Sequence, residues 1–228
     1  MAAMARILNL ETATTNCSVG ISIDGETVSI QENNAQEYSH SEQLHIFIKE
    51  ALEKASLSFS DLDAIAISIG PGSYTGLRIG VSAAKGLCFS LNLPLISIPT
   101  LESMAHQVQV ESDEVVIPVL DARRMEVYSS VFGSGYKEIR ETRAEIINEA
   151  SFGEYAKAQK VYIIGSGAEK CRGALQHPHF HFDASIVPSA KEMGRLAFTK
   201  YQQGQFEDVA YFEPYYLKDF VIQAKKKP

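Results

Sequence analysis

Cysteine is scarce and scattered in this chain. Cys17, Cys88 and Cys171 are odd in number, far apart and form no CxxC pair, which excludes a disulfide framework and predicts reduced thiols. Long hydrophobic runs are missing as well: no apolar stretch nears the roughly 20 residues of a membrane helix, so no span of a bilayer is expected. The N-terminus enters a strand pattern without the apolar core of a secretory signal, and a cytoplasmic protein is the expectation. A basic stripe is also lacking. The formal net charge is −7, whereas a chain that grips nucleic acid by itself usually carries a phosphate-neutralising face. Lys225-Lys226-Lys227 is the only dense cationic cluster and reads as a solvated tail. Any role on RNA is therefore expected to be indirect. No GxSxG elbow is present, His40, His45 and His106 show no HExxH or HxxxH spacing, and Leu77 and Arg78 stand where a P-loop needs Lys and Ser/Thr.

What remains is an ordinary globular composition, with 228 residues, 45% hydrophobic and 21% charged, enough for one large core or two smaller ones. The most informative stretch is AIAISIGPGSYTGLRIGVSAAKGLCFSLNLPLISIP, from Ala64 to Pro99. Ala64–Ile69 reads as a buried strand ending in a Gly-Pro-Gly loop. The period turns helical from Gly76 to about Ser90, and Leu93–Ile98 is a second strand, a unit that builds parallel sheets. On that helix Gly76, Gly80, Ala84 and Cys88 recur every fourth residue. Leu77, Ile79, Val81, Leu87 and Phe89 place apolar groups around most of the rest, the pattern of a helix covered on more than one side.

Before this unit the chain reads as a three-stranded meander. Arg6–Glu11 is followed by an alternating strand, Cys17–Ile23, a hairpin turn at Asp24-Gly25 and a third strand, Glu26–Gln31. A helix starts near Ser39, where Ser39 and Glu42 have capping-box spacing. Leu44, Ile48, Ala51, Leu52 and Ala55 mark its apolar face, with Ile46 far off it. After the central unit, a short helix over Thr100–Val108 is predicted with Thr100 as N-cap. The pattern then restarts: strands at Val115–Leu120, Met125–Phe132 and around Tyr136–Arg140, a weak helix over Ile146–Ala158, a strand at Val161–Ile164, and helices over Ala168–Leu175 and Ser189–Gln203. The order of elements implies a duplicated α/β architecture, divided at 1–110 and 111–228, with the last helix packing back on the first part.

Three candidate sites have competing readings. The loop Gly70–Gly76, with Gly70 and Gly72, either cradles a phosphate at a helix N-terminus or is a tight loop whose glycines allow close packing. Glu11, ending the first strand, is placed either to position a metal-bound nucleotide or as a buried or capping carboxylate. His177, His179 and His181 alternate in HPHFH and would share a face on a strand; Pro178 favours an exposed turn instead.

ETATTNCSVGI, HSEQL, GPGSYTGLRIGVSAAKGL, PLISIPTLESMA, LDARRMEVYSSVF and PYYLKD, in this order, resemble the bacterial TsaB (YeaZ) family of tRNA threonylcarbamoyladenosine biosynthesis proteins, within the TsaD-related, glycoprotease-like group. The resemblance implies a duplicated actin/Hsp70/sugar-kinase-like (RNase H-like) α/β fold of two sub-domains. It also implies a non-catalytic subunit that pairs with the homologous transferase TsaD and with the ATPase TsaE, and that reaches tRNA through them. TsaD carries a metal-binding HxxxH pair on the helix matching TLESMAHQV; here Thr100 to Met104 contain no histidine and His106 has no partner four residues away. No metal or cofactor of its own is expected, with ATP or ADP at a junction shared between subunits and a homodimer for the isolated chain. The expected partner surface is Ile46 on the first helix with Gly76, Ile79, Gly80, Ala83 and Ala84 on the second. The competing functions are a stand-alone ATPase of this fold and a metallopeptidase.

Overall fold

The computed structural model describes residues 4–34 and 40–218. Strands β1 (Arg6–Glu11), β2 (Asn16–Ile23) and β3 (Glu26–Asn34) form the opening meander. Asp24 and Gly25 both take positive φ, 51° and 87°, the backbone that a two-residue hairpin turn requires. Helix α1 (His40–Lys54), β4 (Ala64–Ser68), α2 (Tyr74–Leu91) and β5 (Leu95–Ile98) complete the first sheet unit, in the order β3-β2-β1-β4-β5.

The second sheet repeats that plan. Its strands are β6 (Glu114–Asp121), β7 (Glu126–Phe132), β8 (Glu138–Ile146), β9 (Lys160–Ile164) and β10 (Phe180–Asp183). Their order, read from the matching edge, is β8-β7-β6-β9-β10. In both sheets the second strand is antiparallel to its two neighbours, while the fourth and fifth run parallel with the first. The duplication is therefore present in the pairing itself, and the duplicated α/β plan of two mixed sheets agrees with the fold that the resemblance implies.

Period-two alternation decides what covers each face. Leu8, Leu10, Ile65 and Ile67 point to α1 and α2, where they meet Leu44, Ile48, Ala51 and Leu52. Ile7, Ala64, Ala66 and Ile98 point the other way, to Ala190, Met193 and Ala197 of α5 (Ala190–Gln202). Each fully buried Leu or Ile contributes roughly 1.5–3 kcal/mol. Coverage is exchanged between the halves. Helix α3 (Thr100–Ala105) precedes the second sheet and packs Leu101 and Met104 on its Val116, Leu120 and Ile164, whereas α5 follows that sheet and covers the first. The opposite face of the second sheet meets α4 (Ala168–Ala174) through Ala168 and Cys171. All three cysteines are free and buried. Among the described residues no helix is long and apolar enough to cross a membrane.

Some expectations are corrected. No helix spans Ile146–Ala158: β8 runs to Ile146 and only one 3-10 turn, Gly153–Tyr155, follows. There the Ser151 hydroxyl accepts from Asn148 N–H and the Asn148 side chain from Ala150 N–H, local bonds that compete with a helix, and Phe152 is left-handed at φ 60°. Thr100 is not the N-cap of α3; Pro99 holds that position and the Thr100 hydroxyl accepts from Gly70 N–H at 3.1 Å. The third strand of the second half starts at Glu138 rather than Tyr136, because Gly135 and Tyr136 turn with φ 67° and 56°. Ser39 of the expected capping box and the Lys225–Lys227 cluster lie outside the described residues.

Candidate functional site

The small-residue row of α2 faces inward. A Cβ at Gly76 would sit 2.1 Å from the Thr12 carbonyl oxygen, and one at Gly80 would sit 2.2 Å from Thr12 Oγ1 and 2.9 Å from Ile67. Gly72 is as tight, at 2.3 Å from the Ala13 carbonyl oxygen. These glycines let α2 lie directly on the β1–β2 connection, where Ser73 N–H donates to Ala13 O at 2.6 Å and the Ser73 hydroxyl caps Gly76 N–H at 3.3 Å. His40 at the head of α1 bonds the Thr14 carbonyl at 2.7 Å. Gly76, Gly80 and Ala84 are all buried, so the expectation that they belong to a partner surface is corrected. Their small size serves an approach within the chain.

The outward side is a different set. Ile46 is 55% exposed. Ile79, Ala83 and Leu87, one turn apart along α2, are half-buried and line a groove of about 630 Å³ between the two helices, with Ser41 and His45 across from them. Gly86 opens onto empty space, and Phe89 is 86% exposed. Phe89 is one of the apolar groups spread around this helix in the sequence, and no signal in a single sequence separates it from a core residue.

The cofactor candidates converge on the same connection but form a packed junction. Glu11 is fully buried. Its Oε1 accepts from Ala13 N–H at 2.6 Å and from the Ser68 hydroxyl at 2.8 Å, while Oε2 has no hydrogen-bond partner among the described residues. Burial pushes its pKa up to about 7, against the lowering effect of those bonds. Gly70, at φ 110°, donates to Thr100 Oγ1 and accepts from Thr100 N–H at 3.0 Å. Tyr215 closes over it, its N–H bonded to Ile69 O at 2.8 Å. A magnesium-bound nucleotide needs a carboxylate open to the ion and loop N–H groups aimed at phosphate. Here the carboxyl is sealed, and the N–H groups of Gly70, Ser73 and Gly76 are satisfied within the chain. These residues do not fit such a ligand.

His177 and His179 lie in a turn and contact edge to face with ring centres 5.3 Å apart, whereas His181 sits on β10. His179 Nδ1 bonds Ala158 O at 2.9 Å. Among the described residues no three of His, Cys, Asp or Glu are grouped to hold a metal ion. His106 stacks on Tyr136 at 3.8 Å, and burial lowers its pKa.

Residues 32–225 match the family model described as TsaD, tRNA N6-adenosine threonylcarbamoyltransferase. The tRNA threonylcarbamoyladenosine biosynthesis protein TsaB of Haemophilus influenzae is 31% identical over 96% of both chains. The chain belongs to the TsaB family. TsaB of Escherichia coli is 29% identical over 96% of this chain and 97% of its own. The structure of YeaZ from Pseudomonas aeruginosa superposes with a TM-score of 0.80 at 25% identity, covering 94% of this chain and all of that one. A shorter match, 41% over 81 residues, links this TsaB-family chain to the tRNA N6-adenosine threonylcarbamoyltransferase of Bacillus subtilis, covering 36% of this chain and 23% of that enzyme.

Proposed function

We propose that this chain is a non-catalytic scaffold and activator in tRNA threonylcarbamoyladenosine biosynthesis, a cytoplasmic subunit that holds the transferase TsaD in its active state. The observation that carries this reading is the outer face of α1 and α2. Ile46 and Phe89 stand exposed on either helix, with the Ile79–Ala83–Leu87 row and its groove. Apolar faces of this kind mark protein contacts, and a short side chain at Ala83 admits a helix at 8–10 Å axis separation. The equivalent helices of TsaD, or of a second copy in a homodimer, are the fitting occupants. TsaE joins the pair, and ATP or ADP sits at a junction between subunits rather than at the sealed carboxyl of Glu11.

That sealed carboxyl also weighs against the reading as an independent ATPase. Such an enzyme at 100 times the nucleotide Kd would gain about 2.7 kcal/mol of stability from ATP, and no such gain is expected here. The test is co-purification with TsaD followed by the tRNA modification assay. Ile46→Glu and Ala83→Glu should each cut recovery of TsaD at least tenfold and abolish stimulation, while the thermal melt of the variant alone stays within about 1 kcal/mol of wild type. Folded variants that both still co-purify and stimulate would overturn the assignment.

A further inference from the structure

The β6–β7 turn and the segment ending at Lys218 lie side by side and present cations and aromatic rings. The turn is unusual: Arg123 and Arg124 are consecutive non-glycine residues in the left-handed region, at φ 71° and 51°. Backbone of this kind persists only where its surroundings over-determine it, and they do so here. Arg123 N–H donates to the Asp121 carboxylate at 2.6 Å, and Asp121 N–H to the Ser166 hydroxyl at 3.1 Å. Lys170 reaches up to Asp121 Oδ1 at 2.8 Å and to Glu126 O at 3.0 Å. The brace uses the local carboxylates and leaves both arginines exposed, without an ion pair among the described residues.

Lys218, ion-paired with Glu126, brings the C-terminal segment beside this turn. Just before it, Tyr215 is 43% and Tyr216 37% exposed. Tyr216 lies 5.0 Å from the ring of Tyr74, over which the Arg78 guanidinium stacks at 4.2 Å. From α2 to the turn the surface thus reads Arg78, Tyr74, Tyr216, Lys218, Arg123 and Arg124. Glu213 and Asp121 are exposed carboxylates beside it, Asp121 being paired with Lys170, and Lys218 is paired with Glu126.

We infer that this row contacts single-stranded RNA, a tRNA loop in the assembly proposed above, with phosphates on the arginines and a base on the exposed tyrosines. Interleaved cations and open ring faces are what unpaired bases and their phosphates require, whereas an acidic protein segment would need only the cations. The net charge of −7 does not cancel the patch, because exposed charges are screened beyond about 8 Å at physiological salt. It does keep the affinity low unless a partner adds contacts. Contact with tRNA is then direct as well as through partners, a revision of the expectation from charge alone. This inference rests on tRNA being the substrate of the assembly.

The probe is a labelled tRNA anticodon stem-loop titrated with the isolated full chain, so the result does not depend on partner binding. Wild type should bind at about 50 mM salt and lose most of that binding by about 200 mM. R123A/R124A should weaken binding about tenfold at low salt and flatten the log K against log salt slope by about 1.4, two phosphates at roughly 0.7 each. Tyr215→Ala should weaken binding at least fivefold with the slope unchanged, as stacking predicts. Absence of wild-type binding at low salt, or R123A/R124A indistinguishable from wild type, would overturn the inference. So would RNA binding that survives while the arginine variant loses TsaD in the co-purification assay, since the turn would then be a protein contact. Failure of wild type to capture TsaD would strike the proposed function alone and leave the titration readable.

Discussion

The two halves share a strand order but differ in what lies on it. The first sheet carries two long helices, α1 of 15 residues and α2 of 18, and their outer side is apolar and open. At the place where α1 stands in the first half, the second has the irregular stretch after Ile146, followed later by α4 of seven residues. Phe152 and Tyr155 from that stretch fold inward onto the second core. One plan therefore carries two long helices with an open apolar outer side in one half, and an irregular connection with one short helix in the other. In the function proposed above, the decoration of the sheet, and not the sheet, makes the contact.

The sharpest way to break this comparison is to strike the inner side of α2 and then its outer side. Gly80→Arg forces a Cβ to 2.2 Å from Thr12 Oγ1 and a long charged chain into the core, at an expected cost above about 4 kcal/mol. The far-UV circular dichroism melt should collapse. Gly86→Arg has empty space for its side chain, and replacing a mid-helix glycine should leave stability within about 1 kcal/mol. Equal melts for the two variants would mean that the inner and outer faces are misassigned.

Buried carboxyls offer the next contrast. Burial tends to raise Glu145 in the second half, but the Ser129 hydroxyl, Arg143 and Arg140 outweigh it and hold the group below the usual range. The Arg140–Glu145 pair measures 2.6 Å with side chains 11% and 15% exposed. Glu11 in the first half has hydrogen bonds but no cation beside it among the described residues, and burial raises its pKa from 4.5 to about 7. Between those two values the native state keeps a proton that the unfolded chain releases. Stability is therefore fully present below pH 4.5, declines as pH rises through 7, and levels off above it, by roughly 3 kcal/mol at most. Glu11→Gln, which keeps the acceptor for Ala13 and Ser68, should gain on wild type as pH passes from 5 to 8. Glu145→Gln should do the reverse, losing most at neutral pH and least in acid. Parallel melting curves against pH for wild type and Glu11→Gln would show that Glu11 does not titrate in this window.

Much of the fold was legible because its signals are local. Asp24-Gly25 needs positive φ and announces its hairpin; AIAIS is continuously apolar because it lies between two layers; the duplication follows from element order alone. The orientation of α2 was not legible. With Leu77, Ile79, Val81, Leu87 and Phe89 spread around it, the apolar period selects no side, and the glycine row signals only that some backbone comes close. That backbone is Thr12–Ala13 of the same chain, more than sixty residues earlier in sequence. Ile46 was identifiable because α1 has a clean apolar stripe from which it departs. The sealing of Glu11 depends on Ser68 and Ala13 meeting it in space, and the arginine turn on the brace from Lys170; neither is a property of neighbouring residues.

The smallest expected effect separates the helices by how they begin. Helix α2 starts with a side-chain cap, the Ser73 hydroxyl accepting from Gly76 N–H, while α4 starts at Gly167 with none. Four N–H groups at each helix start lack intrahelical partners, and a capping hydroxyl satisfies one of them. Ser73→Ala should cost about 1 kcal/mol, which corresponds to roughly fivefold faster amide exchange in the first turn of α2. Because Ser73 N–H still donates to Ala13 O, the loop itself should keep its place, and exchange in α4 should not change. If Ser73→Ala accelerates exchange along the whole of α2 and in α1 together, the two helices open as one unit. The outer face would then be a mobile platform that its partner orders on binding, and not a preformed one.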